Sequence, residues 1–141
     1  MKILIINGPN LNLLGKREPD IYGTHTLEDI NKEITVFATA LRCKAEFFQS
    51  NCEGAIIDKI QETNSDGIII NAGAYTHYSY AIRDAVKGSR LPCIEVHMSN
   101  VYAREEFRCK SVLAEVCKGM ICGFGVDSYK LAMQALCNNI K

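Results

Sequence analysis

Five short runs of apolar residues recur along the chain, and most are followed by a segment with helical spacing. Runs that are apolar at consecutive positions are typical of strands buried on both faces of a parallel sheet. The pattern predicts five strands, over residues 2–6, 44–49, 67–71, 92–97 and 120–123.

Segments with apolar residues three and four positions apart lie between these runs and predict helices. Thr26 is expected to cap the first helix and Asn51 the second. A third helix, over about residues 79–87, is expected to end at Gly88. The remaining predicted helices cover residues 111–117 and about 128–140, the last one capped by Asp127 or Ser128.

Strands that alternate with helices predict an α/β fold, because parallel neighbours in a sheet require helical crossovers. For five strands we predict a doubly wound, flavodoxin-like parallel sheet with the order 2-1-3-4-5. The length of 141 residues predicts a single domain, residues 1–141. Such sheets bind ligands beyond the carboxyl ends of their strands, near the switch point between strands 1 and 3.

The first strand leads into a segment, residues 7–23, that contains three glycines and two prolines and is predicted to be a loop. It is longer than most connections and carries polar side chains beside three leucines, which favours a functional loop. Polar clusters also follow strands 3 and 4, at residues 71–77 and 97–108. Because strands 1, 3 and 4 are expected to be neighbours, the three clusters should converge on one cleft.

Charge and hydropathy exclude several classes of partner. Lysine and arginine total 16, as do aspartate and glutamate, so no long-range field favours nucleic acid or an anionic membrane. No segment has the length and apolarity of a membrane span, and the first residues do not resemble a signal peptide. We therefore expect a cytoplasmic protein with no nucleic-acid and no membrane partner.

The seven cysteines include no C-x-x-C pair, and most lie in apolar surroundings. They are interpreted as reduced, mostly packed thiols. A zinc site is the alternative, since Cys117 and Cys122 could combine with His25, His77 or His97. That spacing lacks a second matched pair, so we predict no metal.

Tyr22 is the candidate base of the predicted cleft. A guanidinium held about 4 Å from a phenol favours the phenolate by about 4 kcal/mol at an effective dielectric near 20, which lowers the phenol pKa by about 3. A phenol so placed could accept a proton near neutral pH. Arg17 is the nearest candidate cation, with Arg104 and Arg108 as alternatives. Arg17 could instead be a solvated cation paired with a neighbouring carboxylate.

His97 is the candidate acid, because it ends strand 4 and is preceded on the same face by Glu95. The carboxylate could orient and charge the imidazole. Groups that could bind hydroxyls or a carboxylate are Asn71, His77, Ser99 and Arg108. Each has an ordinary structural explanation, but together they predict a pocket for a small, hydroxylated anion and for proton transfer.

Three segments also carry a resemblance to a known family, namely G-P-N-L-N-L-L-G-K-R-E-P-D-I-Y-G, N-A-G-A-Y-T-H-Y-S-Y-A-I-R-D-A and E-V-H-M-S-N-V-Y-A-R-E-E-F-R. They resemble the signature segments of type II 3-dehydroquinate dehydratase, the dehydroquinase of the shikimate pathway. The similarity runs over essentially the whole chain. It departs from the usual pattern at Ala72, where proline is usual, and at Tyr78, where threonine is common.

The resemblance implies a flavodoxin-like lyase that removes water from 3-dehydroquinate by anti elimination, through an enolate, to give 3-dehydroshikimate. The pathway is aromatic amino-acid biosynthesis, although the same elimination would serve quinate breakdown. The resemblance also implies that there is no metal or organic cofactor, and that the chain forms a homododecamer built as a tetramer of trimers.

The resemblance further implies a role for each matched residue. Tyr22 would be the base, His97 the acid, Arg17 the group that stabilises the phenolate, and Asn10 a ligand of the water beside the enolate. The long loop that carries Arg17 and Tyr22 would act as a lid. The implied substrate-binding residues are Asn71, His77, Met98, Ser99 and Arg108, with Asp84 reaching in from a neighbouring subunit.

Other functions of the same fold fit these residues less well. A flavin or nucleotide binder requires a loop rich in Gly, Ser and Thr after strand 1, which G-P-N-L-N-L-L-G does not provide. A phospho-receiver requires acidic residues where this chain has Asn7 and Asn71. An assembly subunit without catalysis would have no need of Arg17, Tyr22 and His97 together.

Overall fold

The computed structural model describes residues 1–16 and 18–140, with the backbone alone at positions 22 and 140. Within this part of the chain, five parallel strands form one sheet in the order β2-β1-β3-β4-β5, which confirms the predicted topology. The strands are β1 (Lys2–Asn7), β2 (Lys44–Gln49), β3 (Gly67–Asn71), β4 (Cys93–His97) and β5 (Gly119–Cys122). Their ends lie within one residue of the predicted ones.

Helices connect the strands and cover both faces of the sheet. Thr26 caps the first long helix as predicted, because its Oγ1 accepts a hydrogen bond from the Asp29 amide at 3.1 Å and the Asp29 carboxylate accepts one from the Thr26 amide. The helices are α1 (Pro19–Tyr22), α2 (Leu27–Ala40), α3 (Glu53–Glu62), α4 (Tyr80–Ser89) and α5 (Asp127–Ile140).

Two predicted helix boundaries are wrong. Cys52, not Asn51, is the residue before α3, and Asn51 is engaged by the loop after β1. Gly88 does not end α4, since its φ is not positive and an exposed helix tolerates a glycine there. The helix ends instead at Ser89 and is followed by Arg90, whose backbone is left-handed with a φ of 60°.

Two segments differ from their predicted form. The loop over residues 7–23 contains a 3₁₀ turn (Leu11–Leu13) and the short helix α1, which Pro19 begins because a proline suits the first turn of a helix. Residues 111–117 form a single 3₁₀ turn, Ala114–Val116, in place of the predicted helix. The polar segment before it contains two 3₁₀ turns, Val101–Ala103 and Glu106–Cys109.

The core lies on both faces of the central strands. Ile3, Ile5 and Ile69 pack with α2 and α5 on one face, while Leu4 and Ile68 pack with α3 and α4 on the other. Strands buried on both faces explain the uninterrupted apolar runs of the sequence. In the described residues, we find no helix that combines the length and apolarity needed to cross a membrane.

Candidate active site

A cleft lies beyond the carboxyl ends of β1, β3 and β4, where the predicted polar clusters meet. Its empty volume is about 570 Å³, a figure that includes the part open to solvent. Asn7 of β1 and Asn71 of β3 are paired in register at this edge of the sheet. The cleft is lined by Pro9, Asn10, Leu11, Asn71, Gly73, Ala74, His77, His97, Met98, Ser99, Val101, Arg104 and Arg108.

Two glycines allow the loops after β1 and β3 to approach each other closely. A Cβ at Gly8 would lie 2.4 Å from the Ala72 carbonyl oxygen, and the Gly8 amide donates to the Asn71 carbonyl at 2.8 Å. Gly73 has a φ of 58°, and a Cβ there would lie 3.1 Å from the Pro9 carbonyl oxygen. The site therefore depends on backbone contacts that a side chain would prevent.

The end of β2 fixes the loop that follows β1. The Asn51 Oδ1 accepts the Asn10 amide at 3.0 Å, and the Gln49 Nε2 donates to the Gly8 carbonyl at 3.1 Å. The Tyr75 hydroxyl donates to the Asn51 carbonyl at 2.8 Å. These bonds hold Asn10 in a left-handed conformation with a φ of 70°, at the cleft.

A buried pair of hydrogen-bonded side chains, Glu95 and His97, lies at the end of β4. The His97 Nε2 lies 2.5 Å from Oε2 of Glu95, which is completely buried. The other carboxylate oxygen accepts the Ser111 hydroxyl at 2.6 Å. A carboxylate only accepts hydrogen bonds, so Nε2–H donates to Glu95 and the imidazole Nδ1 is left for the cleft. The alternation of side chains along β4 places Glu95 beside His97, as predicted.

His77 and Arg108 also line the cleft. The His77 Nδ1 donates to the Lys110 carbonyl at 2.7 Å, which leaves Nε2 as the nitrogen that can bind a substrate hydroxyl. The Arg108 Nε donates to Glu105 at 3.2 Å, and its guanidinium lies 4.6 Å from the Phe107 ring centre. The hydrogen bond from Arg108 is the largest cause of the lowered pKa of Glu105. The guanidinium keeps further donors for an anion.

Arg104 adds a second guanidinium to the cleft. Its Nη1 donates to the Ser99 hydroxyl at 3.4 Å, and its Nη2 lies 3.6 Å from the Glu18 carboxylate. Only 10 % of the Arg104 side chain is exposed. Two partly buried cations at one cleft favour an anionic ligand.

Most of the predicted site residues meet in this cleft. They are Asn10, Asn71, His77, His97, Met98, Ser99 and Arg108. Asp84 does not line it, but lies exposed on α4 beside a groove between α3 and α4. Arg17 and the side chain of Tyr22 lie outside the described residues. Tyr78, where the chain departs from the usual pattern, is 59 % exposed and does not line the cleft.

Three residues that the sequence pattern did not indicate support the site. Ser111 fixes Glu95, Gln49 fixes the loop after β1, and Tyr129 binds Asn71 from α5. Tyr129 had the spacing of a core residue on a helix, which gives no signal of a polar role. Among the described residues, no group of three or more His, Cys, Asp or Glu side chains could hold a metal ion.

The chain is similar in sequence to known proteins. The family model described as dehydroquinase class II matches residues 1–137. A 3-dehydroquinate dehydratase of Nitratiruptor sp. is 62 % identical over 138 residues, covering 96 % of this chain and 88 % of that protein. One of Prochlorococcus marinus is 55 % identical over 143 aligned residues, covering 100 % of this chain and 99 % of that protein.

A solved structure shares the fold closely. The crystal structure of type II dehydroquinase from Butyrivibrio crossotus superposes with a TM-score of 0.94 at 54 % identity, covering 96 % of this chain and 97 % of that one. The chain therefore belongs to the class II dehydroquinase family.

Proposed function

We propose that the chain is a single-domain 3-dehydroquinate dehydratase of the shikimate pathway, which removes water by anti elimination through an enolate. Family membership supports the reaction. The observation that carries the mechanism is the buried Glu95–His97 pair, which presents an imidazole to a cleft that also contains Arg104 and Arg108.

The cleft offers partners for each polar group of 3-dehydroquinate. The Arg108 guanidinium binds the carboxylate, since it retains two nitrogens beyond the one that contacts Glu105. Asn71, His77 and Ser99 bind the hydroxyl groups, together with the Met98 backbone. These contacts hold the ring so that its reacting C–H and C–O bonds face the base and the acid.

The first step removes a proton from the carbon next to the ketone. The Tyr22 phenolate accepts this proton, and the electron pair of the broken C–H bond moves into the ketone to give an enolate. The Arg17 guanidinium stabilises the phenolate, and Asn10 holds a water molecule that donates a hydrogen bond to the enolate oxygen. Oriented donors of this kind stabilise charge that develops during a reaction.

The second step expels the hydroxyl group as water. The His97 imidazolium gives its Nδ1 proton to the departing oxygen, and the enolate electrons form the new C=C bond as the C–O bond breaks. Glu95 acts as a positioning residue, because its hydrogen bond to Nε2 orients the ring and its charge stabilises the imidazolium. No metal or organic cofactor takes part.

The segment from residue 7 to residue 23 acts as a lid over this chemistry. It is anchored by the buried Leu11 and Leu14, and its Glu18 reaches Arg104 across the cleft at 3.6 Å. A closed lid excludes water from the enolate, which would otherwise be protonated back to the substrate.

The working enzyme is a cytoplasmic dodecamer, a tetramer of trimers, in which Asp84 reaches the site of a neighbouring subunit. Asp84 is exposed on α4, and the groove beside it has apolar walls that include Ile57 and Ala85. An exposed carboxylate at an apolar groove is available to a second copy of the chain.

Stereospecifically deuterated 3-dehydroquinate tests the proposed function. Two substrates are compared, each labelled at one of the two hydrogens on the carbon next to the ketone that loses a proton. An acid and a base on opposite faces predict that only the hydrogen anti to the departing hydroxyl is lost, as measured by mass spectrometry of the product. Loss of the syn hydrogen would contradict the assigned roles, and absence of product would contradict the function.

A further inference from the structure

Tyr129 of α5 brings a hydroxyl group to the carboxyl ends of two strands. The side chain is fully buried, and its hydroxyl donates to Asn7 Oδ1 at 2.6 Å and accepts from Asn71 Nδ2 at 2.9 Å. Asn7 and Asn71 are themselves only 1 % and 4 % exposed. A buried, fully bonded polar network of this kind is costly to disturb.

The direction of each hydrogen bond in this network follows from a backbone group. The Gly73 amide can only donate, and it donates to Asn71 Oδ1 at 3.2 Å. The Asn71 Nδ2 therefore faces Tyr129, whose oxygen must accept, and the single phenol hydrogen is left for Asn7. Complete burial raises the pKa of Tyr129, although the hydrogen bond from Asn71 opposes this, so the phenol keeps its proton.

This arrangement determines what Asn71 offers to the cleft. Its Nδ2 carries two hydrogens, and Tyr129 takes one of them, while Asn71 also lines the cleft. The second hydrogen is left for a ligand. Without the Tyr129 hydroxyl, the Asn71 side chain would lose the partner that holds its amide in this orientation.

We propose that Tyr129 is a positioning residue for substrate binding, which fixes the Asn71 amide so that it donates a hydrogen bond to a lone pair of a substrate oxygen. The proposal rests on the proposed function, since the substrate oxygen is a hydroxyl of 3-dehydroquinate. Tyr129 does not touch the substrate and acts through Asn71 alone.

The test compares the kinetics of Tyr129→Phe with those of the wild type. Phenylalanine keeps the ring in the core but removes the hydroxyl, so we expect KM to rise about tenfold while kcat stays within about threefold. The matched control is Leu136→Val, which removes one methylene from a buried neighbour on the same helix. It should lower stability without changing KM, because it does not touch the network.

A double-mutant cycle separates positioning from general destabilisation. In an Asn71→Ala background, Tyr129→Phe should cause no further rise in KM, since the side chain through which it acts is absent. If Tyr129→Phe does not fold, Asn7→Ala replaces it, because that change removes the acceptor of the phenol hydrogen outside the cleft; KM should again rise.

Two outcomes separate failure of this inference from failure of the proposed function. If the wild type is active and KM is unchanged in Tyr129→Phe, or in Asn7→Ala where that variant replaces it, the inference alone is overturned. The inference alone is also overturned if Tyr129→Phe raises KM equally in the presence and in the absence of the Asn71 side chain. A folded wild type that does not convert 3-dehydroquinate overturns the proposed function, and this inference with it.

Discussion

Three largely apolar strands, β1, β3 and β4, have a polar residue at their carboxyl end. Asn7, Asn71 and the Glu95–His97 pair are all buried at the edge of the sheet where the cleft opens. Burial of such groups is unfavourable unless they bond to one another. Their bonds to Tyr129 and Ser111 offset that cost and also fix their orientation. The side chains that stabilise this edge of the sheet are therefore among those to which we assign roles at the site.

Tyr22→Phe tests the assignment of the base. The change removes the only atom of the side chain that could accept the substrate proton, so we expect kcat to fall by about 10²- to 10⁴-fold, the range of a positioned base. Steady-state kinetics measures the effect, and circular dichroism checks the fold. Tyr80→Phe is the matched control, since Tyr80 is 63 % exposed and does not line the cleft. Equal activity of the two variants would remove Tyr22 from the role.

Some residue roles could be predicted from the sequence and others could not. The alternation of side chains along a strand was sufficient to place Glu95 beside His97, as the 2.5 Å contact confirms. Asn51 was assigned to a helix cap, because capping a helix and holding a loop use the same amide chemistry. Only the packing of β2 beside β1 shows that Asn51 binds the loop.

At the scale of elements, the parallel sheet was predictable because each strand is buried on both faces. The order 2-1-3-4-5 was predicted as the usual one for five such strands, and the sheet has that order. The ends of α4 and the form of residues 111–117 were not predictable. They depend on local hydrogen bonds for which the sequence has no distinctive signal. One example is the bond that the Leu113 amide donates to the Ser111 hydroxyl at 3.1 Å.

Gly8→Ala tests the close approach of the loops after β1 and β3. The new Cβ would lie 2.4 Å from the Ala72 carbonyl oxygen, so one loop must move. We expect a loss of about 1–3 kcal/mol of stability, as for other overpacked positions, and an increased KM. Urea unfolding and kinetics measure the two effects.

Gly54→Ala is the control for that experiment. Gly54 lies on α3, where a Cβ would meet only the Cys52 Sγ at an ordinary 3.9 Å. Alanine in a helix should raise stability by about 0.5–1 kcal/mol and leave KM unchanged. If Gly8→Ala behaved like Gly54→Ala, the loop contact would not be required.

Glu46 of β2 connects three elements and should make stability depend on pH. Its carboxylate lies 2.6 Å from the Lys2 Nζ of β1 and 2.8 Å from the Lys59 Nζ of α3. Hydrogen bonds from these lysines, first Lys2 and then Lys59, lower the pKa of Glu46 from its ordinary value of 4.5. A lowered pKa means that the contribution is complete above pH 4.5 and is lost as pH falls through the folded-state value.

Glu46→Gln should therefore destabilise the protein at pH 7 and have less effect at an acidic pH below the lowered folded-state pKa, where the wild type has also lost the charge. Urea unfolding at the two pH values measures the difference. Asp58→Asn, at an exposed position on α3, removes an equal charge and should show a smaller dependence. An equal loss of stability for Glu46→Gln at both pH values would show that the ion pairs do not contribute.

At the scale of the whole molecule, the sequence predicts the assembly only through family resemblance. The groove between α3 and α4 belongs to one chain, whereas the partner that we propose for it is another copy of the chain. A role that depends on a second copy of the chain cannot be recognised from one chain, and Asp84 is the example. It lies outside the cleft of its own chain, although the family resemblance implies that it binds substrate.

Asp84→Ala tests the proposed contribution of a neighbouring subunit. Twelve chains of 15.7 kDa give about 188 kDa, which light scattering after size-exclusion chromatography can measure. We expect the variant to raise KM or to lower the measured mass. Asp58→Asn, on the neighbouring helix, should change neither. An Asp84→Ala protein with both values unchanged would contradict the cross-subunit site.

The most direct test of the proposed dehydratase function is the ultraviolet absorbance of 3-dehydroquinate mixed with purified, chelator-treated protein. Dehydration conjugates the ketone with the new C=C bond and the carboxylate, so the product absorbs where the substrate does not. For a dehydratase that uses no metal, absorbance should grow at the same rate with and without chelator. No growth with well-folded protein would contradict the dehydratase function, and growth that the chelator abolishes would contradict a mechanism carried by Tyr22 and His97 alone.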